Sequence, residues 1–392
     1  MNPPTRLDLP SEVVEIATTL EAAGFETWCV GGAIRDALLG HPREDVDLAT
    51  RATPEEIQRL FKKTVPVGIK FGTVGVLDRH RQLHEVTTFR HDVVTDGRHA
   101  VVQYGASLEE DLARRDFTMN AVAYHPTRHE WRDPFGGAAD LARGTIRAVG
   151  VPGERFREDY LRILRAIRFA ARLGFSIDAA TWVAAVEAAS GLGRLSAERV
   201  RDEWFRALES ARSVARLVSL WHEVGAAREW LPGLHLVYPL ADAAPAPRDP
   251  VLLTAALMAD PGAALRRLKA STAEIDRVTR IARGPADPAG TDGVSVRRWL
   301  AAVGPAADDL LTSYRWQRGV VAPWANLVAE TRRLGHPVAR GGLAVTGDDL
   351  AAAGIGSGPR QGRILAGLLE AVLEDPTRNE RDELLRLARS IE

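Results

Sequence analysis

Apolar positions change period repeatedly through the first part of the chain and then keep to a single one. Val13, Val14, Ile16, Ala17 and Leu20 recur at helical spacing behind Pro10, predicting an amphipathic helix from Ser11 to Ala23 with Ser11 as its cap. Trp28 to Val30 reads as a short buried strand that ends at Gly31-Gly32, and Ala33 to Leu39 as a helix closed by Gly40. Asp45-Val46-Asp47-Leu48 alternates with period two, predicting a strand with both carboxylates on one face. Thr53-Pro54-Glu55-Glu56 opens a capped helix that ends near Lys62. Strands are expected over Thr64–Val67, Thr73–Leu77 and Gln82–Thr88. Thr95-Asp96-Gly97-Arg98-His99 is a turn signal between two Val-Val pairs, so His91–Tyr104 reads as a hairpin. Leu108 to Leu112 is an acidic helical turn.

From about residue 150 the strand signals stop and Ala/Leu/Arg-rich helices take over. One helix is expected from about Phe156 to Leu173, with Gly174 past its end. Tyr160, Ile163, Leu164, Ile167, Ala170 and Ala171 form its apolar stripe; Glu158, Asp159, Arg162, Arg165 and Arg168 lie opposite. Asp159 and Arg162, three apart, are expected side by side. Ser196 caps the next helix. Connectors rich in Pro, Ala, Gly and Asp at 239–250 and 284–293 complete a division into 1–150, 151–211, 212–285 and 286–392. Trp204, Trp221, Trp230, Trp299, Trp316 and Trp324 follow no period, and core packing is expected for them.

Composition mainly excludes. A net charge of −1 over 392 residues provides no global basic field, so any nucleic-acid contact must come from local basic faces. The single cysteine, Cys29, rules out a disulfide framework and is expected to be a small buried hydrophobe. The start of the chain has no apolar signal core, and no apolar run reaches the length of about 18 residues that a membrane span needs. A cytoplasmic protein with no membrane association is expected.

The chemistry concentrates in a few stretches. A glycine turn feeding a helix directs free N–H groups at a ligand, phosphate suits that position, and Arg35 adds a guanidinium. Two adjacent carboxylates such as Asp45 and Asp47 repel unless a cation lies between them, and hard oxygen ligands suit Mg²⁺. Glu85 either completes that site as a third acid or is a solvated strand residue. Arg114-Arg115-Asp116 offers guanidiniums for phosphate and a carboxylate for ribose hydroxyls. A fixed Asp159–Arg162 pair presents an acceptor beside a donor. Cytosine and adenine, each with an amino group next to a ring-nitrogen acceptor, match it; guanine and uracil do not.

In order, residues 31–50, 114–121, 133–141, 158–165 and 196–203 resemble the signatures of the class II tRNA nucleotidyltransferase family, the CCA-adding enzymes and bacterial poly(A) polymerases. The resemblance implies an α/β head of the polymerase-β-like nucleotidyltransferase type, followed by all-α neck, body and tail domains. It implies template-independent addition of C, C and A to a tRNA 3′ end from CTP and ATP, with Mg²⁺ held by Asp45 and Asp47 and catalysis shared with Glu85. Gly32, Arg35, Arg115, Arg165 and Arg168 are then the expected phosphate contacts, Asp116 the ribose contact, and Asp159 with Arg162 the base selector. Asp96, Gly97 and Arg98 fall where enzymes that add the terminal A carry a flexible loop. The stretch 354–363 resembles the family's tail; Arg360 and Arg363 are expected either to bind RNA phosphate or to cap a packed helical hairpin. An A-adding-only enzyme, a poly(A) polymerase and a non-catalytic tRNA-binding protein are the alternatives, although residues 66–74 lack the basic run of the polymerases.

Overall fold

The computed structural model describes residues 3–41, 45–95, 100–236, 246–355 and 358–391, with backbone alone at 70, 91–95 and 100–103. Asp96, Gly97 and Arg98 lie outside the described residues. The chain divides into two compact units, 1–232 and 233–392.

In the first unit, helix α1 (Ser11–Ala22) leads into β1 (Thr27–Val30), α2 (Gly32–Leu38), β2 (Asp47–Thr50) and α3 (Pro54–Leu60). The strands β3 (Thr64–Gly68), β4 (Thr73–Leu77), β5 (Leu83–Thr88), β6 (Arg90–Thr95) and β7 (Ala100–Tyr104) follow. β6 and β7 form the expected hairpin as a separate sheet. After α4 (Leu108–Ala113) come the short strands β8 (Ala123–Tyr124) and β9 (Trp131–Arg132) and helix α5 (Gly137–Arg143), and seven strands assemble in the order β3-β4-β5-β2-β1-β8-β9. β1 and β2 are antiparallel, whereas β2 and β5 run parallel with Leu48 opposite Val86. Because side chains alternate along a strand, Leu48, Val74, Val76 and Val86 turn to one face, where they are buried with Ile16, Leu20 and Ile57 of α1 and α3. The opposite face buries Trp28, Val30 and Ala49 under Leu108 and Leu112 of α4 and leaves the positions beyond Ala49 open.

Asp45 precedes β2 rather than forming part of it. Two further departures bear on the site. First, strand structure does not end at residue 150: β10 (Thr145–Ile146) pairs in parallel with β11 (Ser176–Ile177), fastening the helices to the sheet-bearing part. Second, the helix expected over 156–173 is two helices, α6 (Pro152–Glu158) and α7 (Leu161–Leu173). Between them Asp159 is extended (φ −153°, ψ 105°). The neighbouring Tyr160 ring packs on the backbone of Gly191, where any Cβ would lie 2.0 Å from Tyr160 Cε1. Asp159 starts α7, its Oδ1 accepting from the Leu161 N–H at 3.0 Å and its carbonyl from the Arg162 N–H at 3.1 Å. α8 (Ala179–Ala188) packs on α6, while α9 (Ala197–Ser210) and α10 (Val214–Glu223) pack on α7.

The second unit is helical among its described residues. One apolar cluster gathers Val296, Trp299, Leu300, Trp324 and Val328; another gathers Leu350, Ile364, Leu368 and Leu384. The six tryptophans expected in cores are all buried, and Trp204 meets Trp221 edge to face with centroids 4.9 Å apart. Arg360 and Arg363 are exposed on the first turn of the helix Pro359–Glu374. No described helix is long and apolar enough to cross a membrane.

Candidate active site

The strand ends, the β1–α2 turn and α7 surround a cavity of about 460 Å³. The turn depends on Gly31, whose φ of 80° and ψ of −139° is open to glycine alone. A Cβ there would stand in ordinary contact, 3.5 Å from Asp47 Oδ2 and 3.4 Å from Arg115 Nη1, so the demand for glycine is conformational. Gly32 opens α2 and lines the cavity together with Arg35. Arg35 is buried; its Nε donates to Asp36 Oδ1 at 2.8 Å and its Nη1 to Asn120 Oδ1 at 2.8 Å.

Asp47 opens β2, and in the parallel register it neighbours Glu85 of β5, so both face the cavity. Asp45 is exposed and does not line it, yet its charge acts on Asp47. Burial first, then the carboxylates of Glu85 and Asp45, push the Asp47 carboxyl up to about 6 against the lowering influence of Arg115. Three carboxylates thus stand close enough to act on one another at this end of the cavity. Among the described residues no three acid, His or Cys side chains converge into a metal cage of their own. Mg²⁺ needs none, because it is held by one or two carboxylates with substrate phosphates and water completing the shell. The donor set fits a divalent ion of that kind.

The lining is rich in cations: Arg35, Arg90, Arg114, Arg115, Arg162, Arg165 and Arg199 join Asp116 and Asp159 around the cavity. Asp116 is the node: its Oδ1 accepts from the Phe117 N–H (2.8 Å) and Asn120 Nδ2 (2.9 Å), and its Oδ2 from Arg165 Nε (2.8 Å). Despite burial, Arg165, Asn120 and Phe117 hold its carboxyl down at about 2. Its folded pKa thus lies below the unfolded value of about 3.9, so the stabilisation is complete above about pH 4 and disappears as the pH falls through about 2. Denaturant unfolding of wild type and Asp116→Asn should differ by roughly 2 kcal/mol near neutrality and converge in acid. A difference independent of pH would contradict this.

Asp159 and Arg162 both reach the cavity but do not pair with each other. In the break between α6 and α7, Asp159 accepts from the Leu161 N–H at 3.0 Å and from Arg199 at 2.7 Å. Arg162 donates to Glu158 at 2.6 Å, to the Arg155 carbonyl at 3.0 Å and to the Arg114 carbonyl at 2.9 Å. Each is therefore fixed by neighbours and keeps hydrogen-bonding capacity toward the cavity. Arg168 is not among the lining residues. It is 8% exposed, its Nε donates to Glu203 at 2.6 Å, and its guanidinium stacks 4.3 Å from the Phe169 ring centroid. The sequence reading passed over Phe169, whose ring also carries Arg35 and Arg165 at 5.0 and 5.5 Å. Its spacing of four from Arg165 is the signal that could have found it.

With this geometry in view, residues 27–147 match the poly(A) polymerase head domain family, and residues 174–237 match the probable RNA- and SrmB-binding site of polymerase A. A CCA-adding enzyme of Lactiplantibacillus plantarum is 47% identical over 207 residues, 52% of this chain and 50% of that protein. The chain thus aligns with about half the length of several such relatives. Against a CCA-adding enzyme of Lacticaseibacillus paracasei, 35% identity extends over 405 residues and 98% of each chain. The crystal structure of the Bacillus stearothermophilus CCA-adding enzyme in complex with CTP superposes with a TM-score of 0.79 at 32% identity, covering 100% of this chain and 98% of that one. The chain belongs to the bacterial class II CCA-adding enzymes, a family of tRNA nucleotidyltransferases.

Proposed function

We propose that this chain adds C, C and A in turn to the 3′ end of tRNA in the cytoplasm, using CTP and ATP and releasing pyrophosphate. The observation that carries the reading is one cavity lined by Asp47 and Glu85 of the sheet together with Arg115, Arg165, Asp159 and Arg162. In each cycle the tRNA 3′-oxygen forms a bond to the α-phosphorus of the nucleotide, the bond to the β-phosphate breaks, and the hydroxyl proton passes to solvent.

Asp47 and Asp45, with Glu85 alongside, would hold Mg²⁺. Bound there, the ion would lower the pKa of the attacking hydroxyl and neutralise charge on the leaving pyrophosphate. Arg115, Arg165 and Arg35, with the Gly31-Gly32 turn, would hold the triphosphate. Asp116 keeps Arg165 aimed and would contact the ribose. Arg168 supports that array through Glu203 and Phe169. Arg360 and Arg363 of the tail helix Pro359–Glu374 would contact RNA phosphate.

Base choice rests with Asp159 and Arg162. The carboxylate accepts from the amino group of cytosine or adenine while the guanidinium donates to the adjacent ring nitrogen. Asp159→Ala should therefore raise UTP and GTP incorporation relative to CTP and ATP by about tenfold, the ratio set by roughly 1.4 kcal/mol of lost discrimination. Competition assays with the four nucleotides check this, and an unchanged preference would remove Asp159 from the selector.

A further inference from the structure

The sheet wall of the cavity continues past the carboxylates into an apolar surface that the reaction above leaves unused. Glu85 stands opposite Gly75 in β4, and Gly75 opposite Val65 in β3, so these three positions face the same way. Leu83, two residues before Glu85, shares that face. A Cβ built on Gly75 would lie 2.5 Å from Leu83 Cδ1 and 2.8 Å from Val67 Cγ2. Both side chains therefore lean over the glycine from either side and close into one shelf with Val65. Val65, Val67 and Leu83 are 38%, 44% and 41% exposed. A half-solvated sheet ordinarily turns polar residues outward, whereas here aliphatic ones border the catalytic acids.

We propose that this shelf seats the terminal nucleoside of the acceptor RNA, its ribose and base packed on Val65, Val67 and Leu83 with the 3′-hydroxyl at Glu85 and Asp47. The inference rests on the nucleotidyl transfer proposed above. Two observations commit the shelf to that occupant. The arginines that line the cavity come from α2, β6, the segment after α4, α7 and α9, and none from β3, β4 or β5, so the triphosphate has its cations away from the shelf and the shelf leaves the acceptor end an uncharged approach to the carboxylates. The shelf is continuous with Glu85 on the same strand face. The chemistry also fits: the terminal base differs between successive additions, so its seat must be indifferent to hydrogen-bonding edges, and aliphatic packing is indifferent to them.

The test uses the full chain. Leu83→Ser and Val67→Ser should each raise KM for a tRNA transcript lacking CCA by about fivefold, which corresponds to roughly 1 kcal/mol of lost apolar contact. KM for CTP and the melting temperature should stay at their wild-type values, and Leu83→Met should restore the tRNA KM. An unchanged tRNA KM, or an equal rise in both constants, overturns the proposal. A readout without turnover separates it from the reaction itself: a transcript ending in 4-thiouridine, irradiated on the wild-type protein, should label tryptic peptides 64–70 and 82–90. Labelling elsewhere alone overturns the shelf. Absent nucleotide transfer by the wild type counts against the reaction instead.

Discussion

Asp47→Asn should lower the rate of nucleotide transfer on the order of a thousandfold, the scale of several kcal/mol of lost charge stabilisation at the reacting phosphate. The fold should not suffer. Asp47 is carried on β2 between the neighbouring strands β1 and β5, and its carboxylate stands partly buried beside two other acids. Removing one of three like charges relieves repulsion, so the variant should melt at the same temperature as wild type or higher, the usual relation between a charged functional site and stability. Transfer assays and thermal unfolding on one preparation check both halves. Activity within tenfold of wild type would refute the assignment of Asp47 to the reacting centre.

Glu203→Ala should have the largest effect on stability. Glu203 is 2% exposed and accepts from Arg168 at 2.6 Å, with Arg165 and Arg206 each 3.7 Å away. Its loss leaves Arg168, 8% exposed, without a counter-charge, and removing one partner of a buried pair costs about 3–5 kcal/mol. Glu203→Gln retains an acceptor for Arg168 and should cost less. Activity should fall as well, because Arg165 loses a second negative neighbour and with it part of its orientation. Denaturant unfolding of the two variants gives the comparison; a loss under about 1 kcal/mol for Glu203→Ala would show that Arg168 finds another partner or water.

What could be read from the chain beforehand was what is local. The turn at Gly31-Gly32, the alternation of acid and apolar residues through Asp47-Leu48, and the single acid of the β-branched strand β5 carry their own signals, and residues from all three line the cavity. The β6–β7 hairpin and the burial of the tryptophans were likewise legible. What escaped is tertiary. Glu158-Asp159-Tyr160-Leu161 contains no proline or glycine, and the break comes with a tyrosine ring that meets a glycine 31 positions later. Spacing suggested that Asp159 pairs with Arg162, but the extended backbone at Asp159 gives it to Arg199 instead. Arg168 belongs to a helix face that reads as cationic and solvated until α9 brings Glu203 against it. β11 is two residues long, and its pairing with β10 carries no periodic trace in sequence.

The most direct measurement offers tRNA transcripts ending at the discriminator base, at +C and at +CC to the protein with Mg²⁺ and CTP, ATP or both, and resolves products to single nucleotides. All three should be extended to CCA and stop there, with CTP alone carrying the first transcript two steps. Extension of the +CC transcript alone, or growth of long A tails, would contradict the account.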